Sequence, residues 1–322
     1  PEMKLKDLSP GQTFTGVVAV KKCTIGEAKN HTKFIDMLIT DGQSDMVTKQ
    51  WDFTGTASEA PKVNTVIKIE GTVGQYQGAN QLTVSRWRYA YAEAGEYTPG
   101  QFIPKYPGDM EELWAEYETI RSLVEDEEYG RLLDHYIFKP VCTLDDPSCD
   151  FVVAPAAKGI HHAYMGGLFE HSISVANLVI DMDPGHKKLN MDLLITAAML
   201  HDIGKIEAYK WDGCIIEESD RGKLLGHIVL SLGILTDYAG FEGTISREKY
   251  FLLSHLIASH HGRLEWGSPV EPKTREAVIL HHADMLSFQG NVIDKAISEA
   301  SATDVWTGKV AGLGREFWVG NR

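Results

Sequence analysis

The sequence predicts a two-domain chain, a small all-β barrel followed by an all-α helical bundle, and three observations carry that prediction. From Leu5 to about Tyr91 the chain falls into short runs rich in Val, Ile, Thr and aromatics, separated by turn residues. From Met110 onward the apolar residues recur at helical spacing instead. Between these parts, residues 92–108 (AEAGEYTPGQFIPKYPG) hold three prolines and three glycines without a period. The expected division is therefore a β domain over 1–91, a linker over 92–108 and a helical domain over 109–322. A chain of 322 residues can bury a core in each.

The β runs are TFTGVVAVKKC, KFIDMLIT, MVTKQWDF, VIKIEGTV and QLTVSRWRY, broken at Gly26, Asp41-Gly42, Gly55 and Gly78-Ala79-Asn80. Five short strands fit a small closed barrel, and the OB-fold is the commonest five-stranded solution. Such barrels hold single strands by stacking bases on exposed aromatics beside basic side chains. Phe34, Trp51 and Tyr76 are the candidates, with Lys33, Lys49 and Arg88 nearby. The alternative, that these aromatics fill the barrel, stays open because alternation does not say which face is outward.

In the linker, Tyr97, Phe102, Ile103 and Tyr106 could pin the chain down. The stretch MEELWAEYETIRSLVEDEEYGRLLDHYI then sets Leu113, Tyr117, Ile120 and Leu123-Val124 on one helical stripe, and its EDEE run at 125–128 reads as a solvated face. Pro140, Pro147 and Pro155 interrupt a loop-rich passage. Further helices are expected at about 168–182, 191–203, 223–239, 246–261, 270–288 and 290–300.

Composition is that of a globular protein, with 43% hydrophobic and 24% charged residues, which excludes a disordered chain. The net charge of −14 argues against indiscriminate nucleic-acid coating. Residues 1–100 are neutral, and the deficit lies wholly in 101–322, so a polyanion would meet the N-terminal part more readily. Cys23, Cys142, Cys149 and Cys214 have neither zinc-ribbon nor disulfide spacing, which fits reduced thiols and a cytoplasmic protein. No leader-like or membrane-spanning apolar run is present in the sequence.

The apolar helix MDLLITAAML ends in His201-Asp202, followed by Gly204 and Lys205. His171, His227, His260, His261 and Asp284 lie at intervals a bundle can gather. A single histidine near an apolar helix is usually a hydrogen-bonded core residue. A set of imidazoles and carboxylates is different, because unpaired buried charge is costly and a pair of cations compensates it. Such ligands, with no thiolate, suit Mn, Fe, Co, Ni, Mg or Zn. Asp202 has two oxygens and can bridge two ions, as two-metal hydrolases require.

The motifs GGLFEHS (His171), HDIGK (His201, Asp202), GHIVLS (His227), SHHGR (His260, His261) and HHADML (Asp284) resemble, in order, those of the HD-domain phosphohydrolase superfamily in its two-metal branch. More closely the chain resembles the YhaM-type 3'-to-5' exoribonucleases, which join an N-terminal OB-fold to an HD domain. The resemblance is strong over 155–290 and weak over the barrel. It implies two divalent ions, Mn foremost, with His171, His201, Asp202 and Asp284 on one and His227 and His260 on the other, Asp202 being shared. Catalysis would fall to Asp202 and to Lys205, aimed at the phosphate. His161, His162 and Arg263 would contact phosphate or protonate the leaving oxygen, while His261 could be a ligand, a donor to one, or a phosphate contact. His255 reads as structural, His281 and His282 as support for Asp284, and Glu170 as either an orienting group or a surface residue.

The function so implied is trimming of single-stranded RNA, with DNA as a second substrate, from the 3' end to nucleoside 5'-monophosphates. Two rivals remain at this stage: a nucleotide or cyclic-nucleotide phosphohydrolase whose barrel mediates assembly, and a non-enzymatic single-strand-binding module. A mixed oxidase-type iron site is a third, disfavoured by the flanking motifs. Metal identity, sugar preference and homo-oligomer formation stay open.

Overall fold

A computed structural model describes residues 4–76, 78–98, 100–137, 150–158, 162–182, 189–211, 214–240, 244–301 and 304–320. Two compact units emerge: Pro1–Pro104 with Trp211–Glu217, and Lys105–Lys210 with Glu218–Arg322.

In the first unit, β1 (Thr13–Glu27) is long enough to serve two neighbours. Its first half pairs antiparallel with β4 (Val66–Tyr76) and its second half with β2 (Lys33–Thr40). The register shifts between Val20 and Lys22, a bulge that bends the strand from one partner to the other. β3 (Asp45–Gln50) continues antiparallel to β2, and β5 (Ala79–Tyr89) lies parallel to β3 and antiparallel to β4. The order β1-β2-β3-β5-β4 closes into a barrel, the OB-fold arrangement expected from the five β runs.

Alternation along β2 turns Ile35, Met37 and Ile39 inward, where they meet Val18, Val20, Ile67, Ile69 and Leu82. Each such fully buried aliphatic contributes roughly 1.5–3 kcal/mol. Leu5 and Leu8 add to the same core. Residues 92–104, expected as linker, pack with this unit: Phe102 is buried in a cluster with Ala19, Val66, Ala90 and Cys214. Asn64 Oδ1 accepts hydrogen bonds from the Cys214 and Ile215 amides at 2.9 and 3.2 Å, which anchors 214–215.

The second unit contains α1 (Met110–Ser122), α2 (Glu127–Tyr136), α3 (Asp150–Val153), α4 (Gly167–Asp181), α5 (Met191–Leu200) and α6 (Lys205–Ala208). The two-residue strands β6 (Tyr209–Lys210) and β7 (Glu217–Glu218) follow, then α7 (Asp220–Ala239), α8 (Arg247–Ser259) and α9 (Arg275–Glu299). Residues Leu193 to Leu200 of α5 are all buried, as a helix apolar all round must be. α5 packs against α2, α4, α8 and α9.

Three expectations need correction. The EDEE run is not simply a solvated face: Asp126 caps α2 by accepting from the Glu128 and Tyr129 amides at 3.0 and 3.2 Å, and Lys249 lies 2.5 Å from it. The two helices expected at 270–288 and 290–300 are one, α9, capped by Thr274 and running through Gly290. One internal glycine costs about 1 kcal/mol relative to alanine, too little to break a helix packed against α4, α5 and α8. Ser219, through a 2.9 Å bond from the Gly222 amide, starts α7 at Asp220 rather than 223. Cys142, Cys149, Pro140 and Pro147 lie outside the described residues.

Candidate metal centre

The apolar helix α5 delivers its last residue to the middle of the second unit, and His201 follows as its C-cap. The carbonyls of a final helical turn lack intrahelical donors. His201 Nδ1 donates to one of them, Ala198 O, at 2.8 Å, which fixes the ring with Nε2 turned toward the site. The same device recurs at the end of α8, where His260 Nδ1 donates to Ile257 O at 2.7 Å. Both imidazoles are fully buried with their Nε2 atoms turned to a shared centre.

Two glycines bring the remaining groups into range. A Cβ on Gly204 would stand 2.1 Å from His227 O and 2.4 Å from Ser231 N, so glycine here lets α7 approach the His201-Asp202 turn. Within α7, Gly226 adopts φ 71°, ψ 155°, a conformation essentially confined to glycine. The kink sets His227 Nε2 at 3.2 Å from Asp202 Oδ1.

Around Asp202 the nitrogens sort by oxygen. Oδ2 faces His201 Nε2 at 3.2 Å and His171 Nε2 at 3.5 Å. Oδ1 faces His227 Nε2 at 3.2 Å and His260 Nε2 at 3.7 Å. Asp284 Oδ1, from α9, lies 3.2 Å from His171 Nε2 and 3.7 Å from His201 Nε2, and those two nitrogens are 3.3 Å apart. Ligand atoms each about 2.1 Å from one ion stand roughly 3.0–3.4 Å from each other, so this spacing suits a shared cation. Asp202 Oδ1, His227 Nε2 and His260 Nε2 are buried without a hydrogen bond among the described residues. Orphaned buried polar atoms are costly, and a second cation would satisfy all three. The donor set therefore fits two ions, and its His/Asp composition fits the divalent metals named above.

Electrostatics favours the ligating protonation states. Burial lowers His171, His260 and His227, the last to about 4, so these imidazoles stay neutral. Burial opposes ionisation of Asp202 and Asp284, yet Lys205 and His201 hold Asp202, and His171 and His201 hold Asp284, well below the usual carboxylate range. His201 is the exception: burial works against its charge, but Asp202 and Asp284 push it up to about 10. In that form it balances the two carboxylates, a role a cation would take over. Lys205 is buried with Nζ 2.6 Å from Asp202 Oδ2, and Asp202 raises it against the burial penalty.

Other candidates fall around this centre. His261 Nδ1 donates to Trp266 O at 2.7 Å, and its ring stands 4.5 Å from His260 and 5.1 Å from His227. With them it forms a further group of potential ligands. Arg263 is exposed, stacked 4.9 Å from the Trp266 ring centre. His162 is buried: Glu170 Oε2 accepts from its Nδ1 at 2.8 Å and from the Tyr164 hydroxyl, and its ring is 5.5 Å from that of His171. Glu170 thus orients His162, which stands behind a candidate ligand. His161 lies outside the described residues. His255 Nε2 accepts from the Lys273 amide at 2.9 Å, a structural role, and His281 Nδ1 donates to His260 O at 2.8 Å, bracing a second candidate ligand. His282 is exposed.

On the barrel, Phe34, Trp51 and Tyr76 lie outside the core cluster, with Trp51 44% and Tyr76 61% exposed. Phe34 and Trp51 stack at 5.1 Å, and Lys49 Nζ lies 4.3 Å from the Phe34 ring centre and 5.3 Å from that of Trp51. Arg88 is instead committed to Glu96. The sequence signalled neither this pairing nor the two histidine–carbonyl tethers, whose only trace is a histidine directly after an apolar helix.

An HD-domain family profile matches residues 168–289. A protein of Bacillus velezensis named 3'-5' exoribonuclease YhaM is 30% identical over 288 residues, spanning 89% of this chain and 88% of that one. Its namesake in Oceanobacillus iheyensis is 29% identical over 293 residues, spanning 90% and 88%. Among solved structures, the second OB-fold domain of replication protein A from Methanococcus maripaludis is 17% identical, with a TM-score of 0.23, over 27% of this chain and 92% of that domain. Among the described residues no helix is long and apolar enough to cross a membrane.

Proposed function

The chain belongs to the YhaM-type 3'-5' exoribonuclease family of HD-domain proteins, and on that basis we propose a metal-dependent exonuclease that removes nucleoside 5'-monophosphates from the 3' end of single-stranded RNA, with DNA as a second substrate. The observation that carries the metal dependence is the division of labour at Asp202: one oxygen toward His171 and His201, the other toward His227 and His260. In this reading Asp284 completes the first ligand group, and Mn is the leading candidate for both positions. The chemistry such a cation pair supplies is acidification of the attacking water and neutralisation of charge on the phosphoryl oxygens.

The chain's own residues do the rest. Asp202 fixes the separation of the two ligand groups. Lys205, held on Asp202, places a permanent positive charge at the edge of the cavity, where it counters charge developing on the phosphoryl group. His261 and Arg263 stand on the more exposed side, suited to an incoming phosphate. The Phe34–Lys49–Trp51 cluster gives the barrel a stacking and charge-bearing surface for a single strand. Among the described residues Cys23 and Cys214 are free thiols, in keeping with a reducing cytoplasm.

Digestion of a 5'-end-labelled single strand tests the proposal. Stepwise shortening is expected with Mn and should be lost after chelation and in Asp202→Ala. An intact strand in the presence of Mn, or undiminished cleavage by Asp202→Ala, would refute it. Hydrolysis of mononucleotides or cyclic dinucleotides in preference to the strand would assign the site to a nucleotide phosphohydrolase.

A further inference from the structure

The metal centre opens into a cavity of about 530 Å³ whose wall is only partly accounted for by cation chemistry. His171, Asp202, Lys205, His261 and Asp284 form its polar side. Trp266, Met285, Phe288 and Leu313 present apolar surface to the same space. Trp266 is 43% exposed, and Arg263 and His281 flank its ring at 4.9 and 6.1 Å. An indole left this accessible beside a charged centre is poorly used as core and well placed as a stacking face.

The volume lies within the roughly 300–1,000 Å³ typical of sites that enclose one small molecule. That admits a terminal nucleotide. A phosphodiester centre that needed only the phosphate would gain nothing from an apolar wall. Away from the charged side, the polar side chain on the lining is Gln289, whose amide both donates and accepts and so imposes no single base.

We propose that the wall formed by Trp266, Phe288 and Leu313 is the subsite for the base of the 3'-terminal nucleotide, which it holds by stacking without choosing among bases. This rests on reading the metal centre as a phosphodiesterase site. Stacking would make cleavage depend on the presence of a base and not on its identity.

Two measurements test it. The first compares kcat/KM for a strand with an ordinary 3' nucleotide and for the same strand ending in an abasic residue. The second compares, by calorimetry on the Mn-loaded protein, binding of AMP and of ribose 5-phosphate. One stacked base corresponds to a preference of roughly 5- to 150-fold in each pair. Trp266→Ala should bring both ratios toward one, and Trp266→Phe should keep most of each. The His261 tether uses the backbone carbonyl of residue 266, so these replacements leave it in place. Wild-type ratios near one, or ratios unchanged in Trp266→Ala, would overturn the proposal. A protein that cleaves neither strand but prefers AMP through Trp266 would sink the exonuclease reading and keep the subsite.

Discussion

Replacing Gly226 by alanine isolates how His227 is delivered to the candidate metal centre. The residue sits at φ 71°, ψ 155° within α7, and a Cβ there would meet nothing within 4 Å. The penalty is therefore backbone strain alone, with no collision to relieve. Holding a non-glycine residue in such a region costs about 1–3 kcal/mol. If the packing of α7 against α6 and α8 keeps the kink, this lowers Tm by about 2–12 °C, at roughly 2–4 °C per kcal/mol for a domain of this size. If the packing yields, the segment relaxes and His227 Nε2 leaves its place 3.2 Å from Asp202 Oδ1. One ion then loses a ligand, and its affinity should fall at least tenfold, since even groups that merely support a ligand are worth about 10–100-fold. Scanning calorimetry of the metal-free protein, with Mn titration followed by electron paramagnetic resonance, reads both branches. A Gly226→Ala protein with wild-type Tm and two wild-type Mn affinities would refute the argument.

Other outcomes follow from the same geometry. Because His201 is pushed up to about 10, the metal-free protein carries that proton at pH 8 and must release it on cation binding. Calorimetry in buffers of different ionisation enthalpy should find about one proton released, with affinity rising roughly tenfold per pH unit from pH 7 to 9. An affinity independent of pH would contradict this. The folded value stands above the ordinary 6.5, so the same group stabilises the metal-free protein below that pH, and the contribution is lost as the pH rises through about 10. Lys205→Ala leaves Asp202 without the ammonium 2.6 Å away. It should destabilise the metal-free protein by about 3–5 kcal/mol, with a larger Mn-induced gain in Tm than wild type and a lower turnover. Unchanged melting and turnover would remove both roles. On the barrel, Trp51→Ala should weaken single-strand binding by about 1–3 kcal/mol, and Lys49→Ala should reduce the salt dependence of that binding by about 0.7 in log–log slope. A filter-binding titration over a salt series checks both, and wild-type values would exclude this face.

Much of the architecture was legible in the residues because it is written in local periodicity. The five runs of β-forming residues called for a barrel, and the unbroken apolar run of α5 required burial on every side. The candidate ligands were legible too, because imidazoles and carboxylates beside apolar helices demand compensation wherever the helices pack. Boundaries set by capping side chains were not, which is why Asp126 starts a helix inside a run read as a solvated face and Thr274 starts one expected from 270. Nor could composition tell that Phe102 and Cys214 would share a cluster with Ala19, since a Pro- and Gly-rich stretch looks the same whether it is packed or loose.

The sequence by itself determined a β-barrel, a helical bundle and the kinds of side chain that could hold cations. Only the tertiary structure decided that the two oxygens of Asp202 face different imidazole pairs, that helix-terminal carbonyls fix His201 and His260, and that Gly204 and Gly226 bring His227 into reach. Periodicity dictates which face of an element is apolar. The distance between groups more than a hundred residues apart, such as His171 and Asp284 at 3.2 Å, is fixed only when those faces pack together.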